Sequence, residues 1–145
     1  MPISVKRIIL WRTEVDNRPG ALASTMEPPA RAGADLTVVM GYRHPGAEGK
    51  AVIEVFPITG KKLAAAAATA GLSAAAIPTL LVEGDNKPGL GWAVAQTVGA
   101  AGINIAFLVA QVIGQRFSAV IGFETEDDAK KAAPLIKKAA KNPKA

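Results

Sequence analysis

The sequence predicts an α+β fold made of two copies of one strand–helix–strand–strand–helix unit. Three observations predict it. Asp16-Asn17-Arg18-Pro19-Gly20 returns as Asp85-Asn86-Lys87-Pro88-Gly89, 69 residues later. Ala32-Gly33-Ala34-Asp35-Leu36 returns as Ala101-Gly102-Ile103-Asn104-Ile105 at the same offset, with no gap. The stretch 51–56 matches 119–123 at an offset of 68 over Ala51-Val52-Ile53 and of 67 at Phe56, which places one extra residue in the turn 43–50 of the first copy, where insertions are tolerated, and one within the strand after it.

Each copy reads in the same order. A strand, over 6–15 in the first copy and 79–83 in the second, runs into Asp-Asn-x-Pro-Gly, whose proline suits a first helical turn because its missing N–H is not needed there. In the second copy Leu90, Val94, Val98 and Ala101 form an apolar row at helical spacing, and Gly102 is placed as the stop. In the first copy the consecutive Pro28 and Pro29 remove two N–H donors and are expected to kink or end the helix. Residues 36–40 and 105–113 are rich in β-branched side chains. With the glycine-containing turns after them, they form hairpins with 51–56 and 117–123. A second helix follows, over 61–70 and over 127–141, the latter introduced by Thr125 with Asp128 three residues on. The alanine run 64–68 places little bulk between its helix and the sheet.

A closing strand is expected wherever residues remain. Residues 73–82 are long enough to end the first unit and, past Pro78, to begin the second. After Lys141 nothing remains to form one, so the second unit is expected to lack its edge strand. The domains expected are residues 1–77 and 78–145.

Composition narrows the chemistry. The chain has 145 residues, 50% apolar and 20% charged, the balance of a packed globular protein. Cysteine is absent, which excludes disulfides, thiolate metal sites and thiol nucleophiles, and His44 is the single histidine. The apolar run 8–11 is too short for a signal peptide or a membrane span, so a cytoplasmic protein is expected. The net charge of +5 comes from the C-terminal segment: residues 130–145 hold six lysines and no acid, and the rest of the chain carries −1. Lys130, Lys131, Lys137, Lys138 and Lys141 read as the wet face of an amphipathic helix whose other side is Ala133, Leu135, Ile136 and Ala140, the lesser alternative being a phosphate or acidic-partner contact through that basic face.

A strand ending in Asp-Asn-x-Pro-Gly, then a helix ending in Ala-Gly-x-(Asp/Asn)-(Leu/Ile), then a hairpin, resembles the ACT domain, here in tandem over nearly the whole chain. The resemblance implies two ferredoxin-like βαββαβ units. It also implies a regulatory, allosteric sensor of amino acids or related small metabolites, without catalysis or cofactor, acting alone or on a metabolic enzyme or regulator.

The residues themselves point to the two turns. Helix N-termini present unpaired amides to an anion such as a ligand carboxylate. Gly20 with Ala21, and Gly89 with Leu90 and Gly91, let a ligand approach the main chain. Asp16 and Asp85 can accept hydrogen bonds from an α-ammonium, and Asn17 and Asn86 can donate or accept. The second turn is favoured because of the paired prolines in the first helix. The competing reading is plain turn and cap chemistry, with these side chains bonded to nearby backbone amides and no ligand.

Both faces of residues 105–112 are apolar, so burial against another sheet is expected, and with it a homodimer through sheet faces or edges. A ligand-free dimerisation module is the main alternative. Other roles find less support. Gly89-Leu90-Gly91-Trp92-Ala93-Val94 lacks the third glycine of a dinucleotide fingerprint and the acid about twenty residues on. Trp11 and Trp92 read as core or interface, and His44 as surface without a nucleophile beside it. The few scattered aromatics argue against RNA binding, and no triad or metal set argues for an enzyme.

Overall fold

The computed structural model describes residues 2–144. It contains two four-stranded antiparallel sheets, each carried by its own compact unit. The first unit, residues 9–76, contains β2 (Trp11–Asp16), α1 (Ala21–Arg31), β3 (Val38–Arg43), β4 (Lys50–Phe56), α2 (Gly60–Thr69) and β5 (Ser73–Ala74), with sheet order β3-β4-β2-β5. The second, residues 77–144 together with 2–8, contains β1 (Ser4–Ile8), β6 (Thr79–Asp85), α3 (Leu90–Ala100), β7 (Ile105–Ile113), β8 (Arg116–Phe123) and α4 (Glu126–Ala139), with sheet order β1-β6-β8-β7. Each has the strand order of a ferredoxin-like βαββαβ unit.

The N-terminal segment departs from expectation. The single strand read over 6–15 is two strands interrupted at Ile9 and Leu10, and residues 2–8 belong with the second unit and not with a first domain spanning 1–77. β1 pairs antiparallel with β6, from Ser4 opposite Glu83 to Ile8 opposite Thr79. It fills the edge left vacant in the second copy, whose described residues after α4 form no strand. The equivalent place in the first unit is taken by the short β5, paired with β2 at Trp11 and Arg12. Residues 73–82 divide as read from sequence: β5 ends the first unit, and β6 begins the second just past Pro78, which has no N–H to give a ladder.

An ion pair ties β1 to α4: Arg7 Nε donates to Glu126 at 2.6 Å. At the other edge of this contact, Gly84 of β6 lies so close to Pro2 and Ile3 that a Cβ there would stand 2.8 Å from the Pro2 carbonyl oxygen. The second unit's core brings Leu80, Val82, Phe117 and Ile121 of the sheet against Leu90, Val94 and Val98 of α3 and Ala132 and Ile136 of α4. The first unit's core is smaller, around Ile53, Val55, Ala67 and Leu72, with Trp11 and Val15 partly buried against it. Ala67 is fully buried, as the low bulk of the alanine run predicts.

The paired prolines do not make α1 shorter than α3. α1 and α3 both run 11 residues, although Pro28 and Pro29 cannot donate to the Ser24 and Thr25 carbonyls. The prolines sit in the closing turns, where Ala32 N–H donates to both the Pro28 and Pro29 carbonyls and the helix stops. At the start of α4, Asp128 N–H donates to Thr125 Oγ1 at 3.0 Å, the cap read from sequence.

Two outcomes follow from this packing. The Phe107 ring lies across Gly122, its partner in the β7–β8 ladder, so a side chain at Gly122 has no space. Gly122→Ala is expected to destabilise the fold by roughly 1–3 kcal/mol, read as a lower urea midpoint. The hydrogen bond and charge of Arg7 hold the Glu126 carboxyl below its ordinary value of 4.5. A depressed carboxylate contributes stability above that value and loses it as pH falls through the folded-state pKa. Arg7→Gln is therefore expected to flatten the acid limb of the stability–pH curve below about pH 4.5 while leaving its shape at neutral pH unchanged.

Candidate functional site

The repeated turns have one geometry. After β2, Asn17 N–H donates to the Gly49 carbonyl at 2.9 Å, and after β6, Asn86 N–H donates to the Gln115 carbonyl at 2.8 Å. Each bond clamps the turn to the end of the neighbouring hairpin. Gly20 and Gly89 then adopt left-handed backbone, with φ of 86° and 85°, a conformation that a side chain would strain. Ser24 N–H reaches the Gly20 carbonyl at 3.0 Å, and Ala93 N–H reaches the Gly89 carbonyl at 2.9 Å.

Neither α1 nor α3 has a side-chain cap on its N-terminus. The aspartates and asparagines of the turns therefore do not cap these helices; Ala21 N–H and Leu90 N–H donate to the Arg18 and Lys87 carbonyls, and the next amides of each first turn are left for water or a ligand. The Ala21 and Leu90 side chains are buried, so only their backbone belongs to the surface. Asp16, Asn17, Gly20, Asp85, Asn86, Gly89 and Gly91 are exposed.

Asp16 is engaged by Lys50, which donates to it at 2.7 Å. That hydrogen bond and the Lys50 charge hold the Asp16 carboxyl below 3.8 and raise the Lys50 ammonium above 10.5. Sequence reading missed Lys50, yet a signal exists. In both ladders the first residue after the hairpin turn is basic and stands opposite the turn aspartate: Lys50 opposite Asp16, and Arg116 opposite Asp85.

A groove of about 370 Å³ runs beside the first turn, lined by Glu14, Asp16, Arg18, Ser24, Thr25 and Lys50 among others. Its two carboxylates and two cations balance. On the turn's other side, Asn17, Leu22, Tyr42 and Arg43 border a hollow of about 200 Å³. Thr25 is buried and its hydroxyl donates to the Ala21 carbonyl at 3.0 Å.

The second turn is more encumbered. The Pro143 carbonyl oxygen lies over Gly89, 2.5 Å from where a Cβ would be, and Lys87 Nζ donates to the Lys141 carbonyl at 3.1 Å. The reason for favouring this turn also lapses, since α1 keeps its full length through Pro28 and Pro29. A cavity of about 780 Å³ lies beside it, with Asp85 and Lys87 in its wall.

His44 is not a bare surface residue. Gly46 N–H donates to its Nδ1 at 3.0 Å, which leaves the proton on Nε2 to donate to Glu14 at 2.5 Å. Trp92, read as core or interface, is 49% exposed.

The fold is shared with solved structures at low sequence identity. A protein from Bacteroides thetaiotaomicron superposes with a TM-score of 0.69 at 14% identity, over 90% of this chain and 87% of that one. The ligand-free regulatory subunit of aspartate kinase from Thermus thermophilus superposes with a TM-score of 0.61 at 18% identity, over 96% and 97%. The regulatory subunit of aspartate kinase from Thermus flavus gives 0.58 at 16%, over 96% and 97%. No family model matches the chain, and no curated protein matches its sequence.

The Asp16–Lys50 pair has a direct check. Lys50→Ala is expected to return the Asp16 carboxyl toward 3.8, measured by carboxyl-carbon NMR titration. A titration curve unchanged by the substitution would detach Lys50 from the site.

Proposed function

We propose that this chain is a regulatory sensor that binds a small amino acid, or a related metabolite bearing both an ammonium and a carboxylate, at its Asp-Asn-x-Pro-Gly turns. The first turn is the better formed site. The observation that carries this is an uncapped helix N-terminus beside a carboxylate, at the mouth of a groove whose charges balance.

A zwitterion matches that arrangement at both ends. Its carboxylate meets the first-turn amides of α1 and the Arg18 guanidinium, where the helix dipole favours negative charge. Its ammonium competes with Lys50 for Asp16. The chain then responds only as far as the ligand binds one arrangement better than another. The shared fold with regulatory subunits of aspartate kinase supports a regulatory role and a metabolic enzyme as the partner acted on. The second turn, with Asp85, Asn86, Gly89, Leu90 and Gly91, remains a subsidiary candidate under the same chemistry.

Assembly belongs to the same reading. β7 is an edge strand whose Leu108, Val109, Val112 and Ile113 are 40–69% exposed. Such an edge pairs with another strand or is a liability. The proposed occupant is β7 of a second copy, forming a homodimer.

Two measurements decide these points. In a thermal-shift screen of the common amino acids, a ligand at 100 times its dissociation constant adds about 2.7 kcal/mol of stability. Asp16→Asn is expected to abolish that shift, and Asp85→Ala to leave most of it. No response to any amino acid would remove the sensor reading and leave a ligand-free dimerisation module. In sedimentation at micromolar concentration the parent is expected to run as a dimer and Val109→Lys as a monomer. A monomeric parent would remove the edge pairing.

A further inference from the structure

The cavity of about 780 Å³ in the second unit differs in kind from the groove at the first turn. Among the described residues its lining includes four lysines, Lys87, Lys137, Lys138 and Lys141, and one acidic residue, Asp85. Pro2, Ile3, Pro134 and Ala140 supply apolar surface. Three separate parts of the chain converge there: the segment before β1, the turn after β6 and the end of α4. The volume falls within the range of about 300–1,000 Å³ usual for small-molecule sites.

The ordinary account of these lysines is that they are solvated and offset the dipole of α4. Magnitudes count against that account being complete. The C-terminal end of a helix carries about half a negative charge. Among the described lining residues, four lysines and one aspartate leave three positive charges in excess. α4 also separates its charges: Glu126, Asp127 and Asp128 occupy the first turn, where Glu126 pairs with Arg7 and Asp127 with Lys131. Among the described residues, none of Lys87, Lys137, Lys138 and Lys141 is in an ion pair, and Lys87 is steered toward α4 by its bond to the Lys141 carbonyl. Among the described residues the cavity thus gathers more positive than negative charge.

We propose that this cavity binds a phosphorylated small molecule. Among the described residues the cations lining it are all lysines, point charges of a kind that binds phosphate. The phosphate sits among Lys87, Lys137, Lys138 and Lys141, and the organic part lies on Ile3 and Pro134. The two copies of the repeat have then diverged in charge. One turn faces a balanced groove suited to a zwitterion, and the other faces a cationic cavity suited to an anion. The proposal uses residues of the second unit alone and stands apart from amino-acid binding at the first turn.

The test is an amide NMR titration of the full chain with adenosine monophosphate. Saturable shifts are expected at residues 85–87 and 134–141. Lys137→Gln/Lys138→Gln should weaken binding by about tenfold or more, as expected when charge-assisted contacts worth about 1.4 kcal/mol are lost. The control Lys61→Gln/Lys62→Gln, on α2, should leave it unchanged. An unaltered urea midpoint for the first variant keeps a loss of binding from being a loss of fold. The absence of saturable shifts, or equal weakening by the control, overturns the site. Citrate binding as tightly as adenosine monophosphate overturns the phosphate class. Tighter binding to vesicles of equal parts phosphatidylcholine and phosphatidylserine, with no saturable nucleotide shifts, assigns the cationic patch to a membrane surface and overturns the small-molecule site.

Discussion

Strand β6 carries hydrogen-bonding groups along both of its edges, and its own repeat covers only one of them, with β8. An unpaired edge beside an apolar core is a position that a sheet must fill or protect. The segment 4–8 fills it, and much of the second unit depends on that pairing. Ile8 is 4% exposed, Arg7 reaches Glu126 on α4, and Pro2 and Ile3 press against Gly84. The wall of the cationic cavity contains the same Pro2 and Ile3, so completing the sheet also shapes the site.

The repeated turn is a second constraint of equal generality. A left-handed glycine and a backbone bond from the turn asparagine to the adjacent hairpin hold each helix N-terminus in place without a side-chain cap. A capped terminus would be more stable by about 0.5–2 kcal/mol and chemically silent. Leaving it uncapped keeps amides available, and the side chain that might have capped it, Asp16, is turned to Lys50 instead. Duplication preserved this backbone frame while the surrounding charges diverged, with Glu14, Arg18 and Lys50 near one copy and the α4 lysines near the other.

The elements most legible in the sequence are those whose causes are local. The turns, α3 with its apolar row, the cap at Thr125 and the two hairpins need only neighbours within a few positions, and each is present. The paired prolines misled because their cost depends on where in the helix they fall. In the closing turn of α1 the lost donors coincide with the helix end. The lysines read as a solvated face are exposed, with Ile136 and Ala140 buried on the other side; helical spacing shows which residues share a side, and not what lies opposite them. Lys50 and Arg116 were readable in principle, through the aspartates across the ladder, once the hairpin register is drawn.

By itself the sequence determined the duplication, the α+β class, the Asp-Asn-x-Pro-Gly turns and the absence of thiol chemistry, because repeat, composition and backbone preference are properties of short stretches of chain. Tertiary structure decided which sheet receives the first strand, which cation meets Asp16, and that four lysines from two distant segments share one cavity. Those outcomes turn on which edge is vacant and which surfaces face each other. Residues far apart in sequence carry no local mark of meeting.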